Sequence, residues 1–323
     1  MWLKRQVERG AWSLLSGGGH RAPVILIYHR VLPEQDPLFP TEVHRAQFDR
    51  QLAWLKTRFN VLPLLEAVRL AAAGRLPARS ACITFDDGYA DNAEVALPVL
   101  QKHGLHATFF IATGFLDGGR MWNDTVIESV RRAPGDVLDA TSLGLGRHPL
   151  GNWEARRQAV GALIGQLKYL PMAQRLEQVG KVAALSGARL PDDLMMRSSQ
   201  VRELHAAGMD IGGHTVNHPI LARLDGAEAR REIAQGKAAL EAVLDAPVRA
   251  FAYPNGKPGQ DYLPEHVAMV RELGFETAVS TSWGASRGDA DWFQLPRFTP
   301  WDQGIGKFSL RLARNVLQPA ARV

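Results

Sequence analysis

Cysteine is nearly missing from these 323 residues, and Cys82 stands alone. A single thiol excludes an intrachain disulfide and a thiolate metal cluster. Its place in the apolar run Ala81-Cys82-Ile83-Thr84-Phe85 suits a small buried hydrophobe. Long apolar runs are missing too. None approaches the roughly 18 residues that a membrane-spanning helix requires. The opening MWLKRQVERGAWSLLSGGG also lacks the apolar core and small-residue cleavage site of a secretory leader. Nor does one sign of charge dominate: 38 Lys and Arg stand against 33 Asp and Glu, a net +5 with His neutral. The arginines are dispersed, with no zinc-finger spacing and no arginine-rich arm, so no nucleic-acid partner is expected. On the missing leader and the amphipathic start, a cytoplasmic location is expected. Residues 1–21 are expected to form an N-terminal segment ahead of the domain at 22–323. Within it, Trp2, Leu3, Val7, Trp12, Leu14 and Leu15 alternate with Lys4, Arg5 and Arg9. Such a segment either packs on the domain as an amphipathic helix or touches a membrane peripherally.

What is present is a large core and an α/β rhythm. Hydrophobic residues make up 46% of the chain, enough for one large domain. Apolar runs predict strands at 24–29, 81–85, 106–112, 209–214, 248–254 and 276–282, with a further short one at 297–299. Helical patterns lie between them: Phe48, Leu52 and Leu55 mark one helix face. Asp91 with Glu94, and Asp225 with Glu228, read as capping boxes opening two more helices. Strands separated by helices argue for a parallel sheet covered on both faces. The chemically loaded residues fall at strand C-terminal ends, which favours a barrel with its site at that face. Residues 117–200 break the rhythm with helical segments and little strand signal, and read as a helical insertion. Trp122, in Met121-Trp122-Asn123-Asp124 at its start, either lines a substrate cleft or packs the insertion.

Two distant stretches carry the chemistry. Thr84-Phe85-Asp86-Asp87-Gly88 sets adjacent carboxylates where a strand yields to a tight turn, costly unless a cation or shared proton relieves them. His214-Thr215-Val216-Asn217-His218 supplies imidazoles four apart, which one helical turn brings to a common face. Two His and one carboxylate suit zinc or another first-row divalent ion, with positions left for water and substrate. Either stretch alone has a bland reading as a turn or a packing pair; together, each after an apolar strand, they point to a hydrolytic metal site. No Glu lies between the histidines, so the metalloprotease HExxH arrangement is absent and Asp86 is the remaining base.

These two motifs resemble the first signature motifs of the polysaccharide deacetylase family, the NodB-homology domain of carbohydrate esterase family 4. Further matches are His106-Ala107-Thr108-Phe109-Phe110, Phe251-Ala252-Tyr253-Pro254-Asn255-Gly256 and Leu295-Pro296-Arg297. Tyr28-His29-Arg30-Val31 is similar to the opening strand of the branch that handles exopolysaccharide and lipid-linked sugars. The resemblance spans roughly residues 22–300. It implies a distorted (β/α)7-type barrel related to the TIM barrel. It implies one divalent metal, usually Zn2+, on Asp87, His214 and His218, and Asp86 as general base. The backbone N–H of Asn255 would serve the oxyanion. The implied partner is an acetylated carbohydrate in a polysaccharide or lipid-linked glycan, and the implied reaction is hydrolysis of its N-acetyl group.

Three departures qualify this picture. Ala252 stands where the family often carries a base-orienting Arg, a task that Arg297 is placed to take over. Asn255 replaces a more frequent Tyr, which spares the backbone donor. No histidine follows Arg297, so the late Leu-x-His motif that protonates the leaving amine is absent. His29, ending the first strand, is the candidate replacement; His103 and His106 flank a turn, and His106, which precedes its strand, reads as structural. An O-deacetylase or non-sugar amidase would need acid help less or find it elsewhere. A catalytically silent glycan-binding domain is the remaining alternative, against which the retained Asp86, Asp87, His214 and His218 argue.

Overall fold

The computed structural model of the chain describes residues 18, 21–286 and 290–323. The expected N-terminal helix lies outside the described residues apart from its last positions. Strands form where β-branched and aromatic residues run together without polar alternation, because both faces of each strand are covered. In chain order they are β1 (Val24–Tyr28), β2 (Asn60–Val61), β3 (Ser80–Phe85), β4 (Thr108–Ile111), β5 (Val137–Ala140), β6 (Gly146–Pro149), β7 (Asp210–Gly213), β8 (Ala250–Ala252) and β9 (Thr277–Val279). Seven of them make one sheet in the order β1-β3-β4-β7-β8-β9, every pairing parallel, with β2 also on β3. Because β1 occupies one edge of β3 from Ala81 to Phe85, β2 at Ser80 and Ala81 must share the other edge with β4.

The sheet curls until its two edges are joined by one stretch of chain. Leu295 bridges Val279 on β9, and Phe298 bridges Leu26 on β1. The Phe298 N–H donates to the Ile25 carbonyl at 2.8 Å, and the Ile27 N–H to the Phe298 carbonyl at 3.0 Å. The strand expected at 297–299 is thus a pair of isolated bridges. Pro296 has no N–H to extend them.

Strand alternation separates two cores. Leu26, Tyr28, Ile83, Phe85, Phe109 and Phe251 face the helices with Phe48, Leu52, Leu55 and Phe308. Ile25, Cys82, Phe110, Ala250, Ala252 and Val279 form the other cluster, capped by Leu64, Val68 and Ala71 of the helix Leu64–Ala72. Small residues on that second face make room. A Cβ on Gly212 would stand 2.4 Å from the Phe110 ring.

Residues 35–42 and 117–195 form a second compact unit with its own core of Val126, Val130, Leu138, Leu150, Leu163 and Val182. It contains the helices Trp122–Arg132, Trp153–Leu167 and Met172–Ser186. It also contains an antiparallel hairpin, β5 on β6, turned through left-handed Gly144. The stretch is therefore not purely helical. It ends at Met195, because the helix Ser198–Ala206 belongs with the sheet, and it recruits the distant residues 35–42. Trp122 packs with that unit's own core and beneath the Arg175 guanidinium. No described helix is long and apolar enough to cross a membrane.

Candidate active site

Three strand ends bring the predicted residues together. β3 keeps its pairing to the last position, where the Asp86 N–H donates to the Tyr28 carbonyl at 2.9 Å. The chain then inverts: Asp87 has φ of 78° and Gly88 of 93°. This inversion sends two neighbouring carboxylates to different partners. Asp86 meets Arg297, and Asp87 meets the histidines.

Arg297 is 1% exposed and grips Asp86 with both prongs, Nη1 to Oδ1 and Nη2 to Oδ2, each at 2.6 Å. Its Nε donates to the Ser280 carbonyl at 2.9 Å and its Nη1 also to Thr84 Oγ1 at 3.2 Å. The guanidinium lies over the Phe110 ring. Burial opposes ionisation of Asp86, but the Arg297 and His214 charges outweigh it and hold the carboxyl below its usual range. The Arg expected at position 252 is thus replaced by one that reaches the same carboxylate from the segment closing the sheet.

Asp87 Oδ1 lies 3.4 Å from the Nε2 atoms of both His214 and His218. His214 Nδ1 is 2.7 Å from the Ala252 carbonyl, so Nδ1 carries the proton and Nε2 faces the carboxylate. The histidines are not on a helical turn. Residues 214–218 form a loop in which Thr215 (φ 67°) and His218 (φ 51°) are both left-handed. Burial lowers His218 to about 4. Burial also opposes the charged form of His214, but the carboxylates of Asp86 and Asp87 overcome it and raise that group. Asp87 is likewise disfavoured by burial yet held well below the carboxylate range by His214 and His218.

The donor set fits a divalent ion. Asp87 Oδ1 is buried and accepts no hydrogen bond. One ligand atom from each of Asp87, His214 and His218 lies within 4.8 Å of the others. Ligands about 2.0–2.1 Å from a tetrahedral zinc stand about 3.4 Å apart, which matches both Asp87–histidine separations.

Asn255 follows β8 in the left-handed region (φ 58°), and its carbonyl accepts from Thr281 Oγ1 at 2.6 Å. Its N–H donates to no acceptor among the described residues. His29 follows β1 and is exposed, and its charge is among those acting on Asp86, Asp87 and His218. His103 pairs with Asp49 at 2.8 Å, and His106 lies 3.7 Å from Asp210 at the opening end of β7. Both are structural positions away from the strand C-terminal ends.

The residues that hold these loops escaped the sequence reading. Asp91 caps nothing; it accepts from Arg30 Nε at 2.8 Å and the Val31 N–H at 3.0 Å. Asn92 Nδ2 donates to the His29 carbonyl at 2.9 Å. Together they tie the His29 loop to the Asp86–Asp87 turn. Glu232, on the helix Gly226–Leu244, accepts from the N–H groups of Val216 and Asn217 at 3.0 and 2.8 Å. Gly236 on the same helix lets Thr215 approach so closely that a Cβ there would meet its carbonyl carbon at 2.7 Å. A Glu seven residues into a helix carries no signal of this role; only the pairing with a strained loop reveals it.

Comparison with known proteins agrees with this geometry. The family model described as polysaccharide deacetylase matches residues 73–143 and 146–278. YxkH of Bacillus subtilis (strain 168), provisionally named a polysaccharide deacetylase, is 22% identical over 84% of this chain and 69% of its own. A Staphylococcus aureus poly-beta-1,6-N-acetyl-D-glucosamine N-deacetylase is 40% identical over 73 residues, which span 22% of this chain and 25% of that protein. Among solved structures, the Streptococcus pyogenes deacetylase PplD in complex with acetate superposes with a TM-score of 0.57 at 22% identity, covering 86% of this chain and 92% of that one. IcaB from Ammonifex degensii gives 0.56 at 21%, covering 94% and 99%. These likenesses extend the curled parallel sheet to deacetylases of known structure. The matched residues include Asp86, Asp87, His214, His218 and Asn255, and the chain belongs to the polysaccharide deacetylase family.

Proposed function

We propose that the chain hydrolyses the N-acetyl group of an amino sugar in a polysaccharide or lipid-linked glycan, using one divalent ion, by preference Zn2+, held by Asp87, His214 and His218. The observation that carries this reading is the buried Asp87 Oδ1, without a hydrogen-bond donor and equidistant from two imidazole Nε2 atoms. The name of the Staphylococcus relative, an N-acetyl-D-glucosamine polymer deacetylase, supports the substrate class.

A divalent ion held by Asp87, His214 and His218 would supply Lewis acidity. Asp86, ionised and fixed by Arg297, accepts the proton from the attacking water as its oxygen bonds to the acyl carbon. The Asn255 N–H donates to the oxygen on which negative charge develops. His29 donates a proton to the departing nitrogen as the C–N bond breaks, leaving free amine and acetate. The Arg297 fork makes Asp86 a weak but well-aimed base, with one lone pair on each oxygen left for the water.

The test is metal content and acetate release together. Purified protein should carry near one equivalent of divalent metal and release acetate from N-acetylated oligosaccharide. Chelation should stop that release. A His214→Ala/His218→Ala variant that still holds stoichiometric metal would sink the ligand assignment.

A further inference from the structure

The helix Ile305–Leu317 buries Phe308, Leu312, Asn315 and Val316 against the sheet's helical layer. At 100° per residue, Leu310 and Leu317 then fall on nearly the opposite side, with Lys307 and Arg314 beside them. Both leucines are well exposed, at 54% and 56%. The sequence of this helix contains no acidic residue. Trp301, just ahead of the helix, is 59% exposed. It is held by Arg311, which lies over the rings of both Trp301 and Trp283 and is paired with buried Asp302. Lys307 also approaches Asp302, at 4.0 Å, with its ammonium largely in solvent.

We infer that this face docks on an anionic lipid bilayer. Outward leucines flanked by cations, with an indole at the edge, make up a surface that enters the boundary between headgroups and acyl chains. The cations complement anionic lipid, and a leucine so placed gains nothing from water. Arg311 covers one face of each indole, which favours lipid over stacked sugar as the occupant. The face belongs to the sheet-bearing unit. It is also independent of the metal chemistry.

Co-sedimentation of the full chain with phosphatidylcholine vesicles, with and without phosphatidylserine, tests this. Wild type should bind the anionic vesicles and lose them at high salt. Leu310→Ser/Leu317→Ser should weaken binding roughly tenfold per leucine. Lys307→Glu/Arg314→Glu should abolish the preference for phosphatidylserine. Unchanged melting temperatures for both variants, and unchanged acetate release from soluble oligosaccharide, separate lost docking from lost fold. Failure of wild type to bind any vesicle, or full retention of binding in both variants, overturns the proposal. So does a wild-type dimer that the leucine variant converts to monomer without any lipid binding.

Discussion

Replacing Arg297 by Met removes a cation that no neighbour can replace. The Asp86 carboxylate loses two 2.6 Å hydrogen bonds, and its next cationic neighbour is His214 Nε2, 3.9 Å from Oδ2. A buried carboxylate left unpaired in this way costs about 3–5 kcal/mol. At about 2–4 °C per kcal/mol for a domain of this size, melting should fall by roughly 6–20 °C. The loss should depend on pH in a specified direction. In the wild type, burial opposes Asp86 ionisation but Arg297 overcomes it, so the folded carboxyl is held down. Its stabilisation is therefore full above the unfolded value of about 4 and is lost as pH falls through the lower folded value. In the variant burial acts with far less opposition, the carboxyl shifts upward, and the protein loses stability as pH rises. The gap between the two proteins should be widest near neutrality, narrower at about pH 4, and close only as pH falls through the lowered wild-type value. Urea unfolding followed by circular dichroism, in chelator at about pH 7 and about pH 4, measures it directly. Arg297→Lys, which keeps charge but not the fork, should fall between. Asp86→Asn/Arg297→Met should recover most of the loss, because the unpaired charge is gone. A loss equal at both pH values, or below about 1 kcal/mol, would refute the reasoning.

Asp86→Asn alone should keep the metal while acetate release drops by roughly 10²–10⁴ in kcat; loss of metal would instead make Asp86 a ligand. His29→Ala should damage amide hydrolysis far more than ester hydrolysis on matched N-acetyl and O-acetyl substrates. Equal damage to both would assign His29 to structure. Gly236→Ala gains about 1 kcal/mol of helix propensity, but its Cβ would strike the Thr215 backbone at 2.7 Å. It should therefore lower both melting temperature and metal affinity. A stabilised variant with unchanged affinity would show that the helix yields easily.

Much of this architecture was legible because the strands are apolar on both faces. Runs such as Val24–Tyr28 and Ser80–Phe85 have no solvent side to write polar alternation into. The two-residue β2 is too short to leave a pattern, and β5–β6 has alternating burial over polar residues such as Asp139, Arg147 and His148. The Asp225 cap was readable from neighbours, since its side chain accepts from the Glu228 N–H at 2.7 Å. The same spacing misled at Asp91, where a long-range arginine outcompetes the local helix end and Glu94 accepts from Gln200 Nε2. The histidine pair was found through the wrong geometry: four-residue spacing served a strained loop as well as a helical turn. Arg297 was identifiable from the Leu295-Pro296-Arg297 match together with the cation missing at Ala252, which posed the question of what else could reach Asp86.

The backbone at the site explains why such a loop is tolerated. Seven non-glycine residues with positive φ occur among the described residues, and four of them are Asp87, Thr215, His218 and Asn255. For β-branched Thr215 this conformation is a true outlier, costing on the order of 1–3 kcal/mol. Such strain persists only where surroundings over-determine it, and here they do. The Thr215 carbonyl accepts from the Thr113 N–H at 3.2 Å, and the Val216 carbonyl from the Gly114 N–H at 2.8 Å. Glu232 fixes the next two N–H groups, and Thr215 Oγ1 accepts from the His218 N–H at 3.1 Å. The Asp87 carbonyl is in turn bound by the Ala112 N–H at 3.2 Å. These anchors lie just past the end of β4 (Ala112, Thr113 and Gly114), on the helix behind the loop (Glu232) and within the loop itself. The loops bearing Asp87, His214 and His218 are thus tied to the end of β4 and to the helix Gly226–Leu244. These hydrogen bonds hold the strained backbone that sets Asp87 Oδ1 3.4 Å from both imidazole Nε2 atoms.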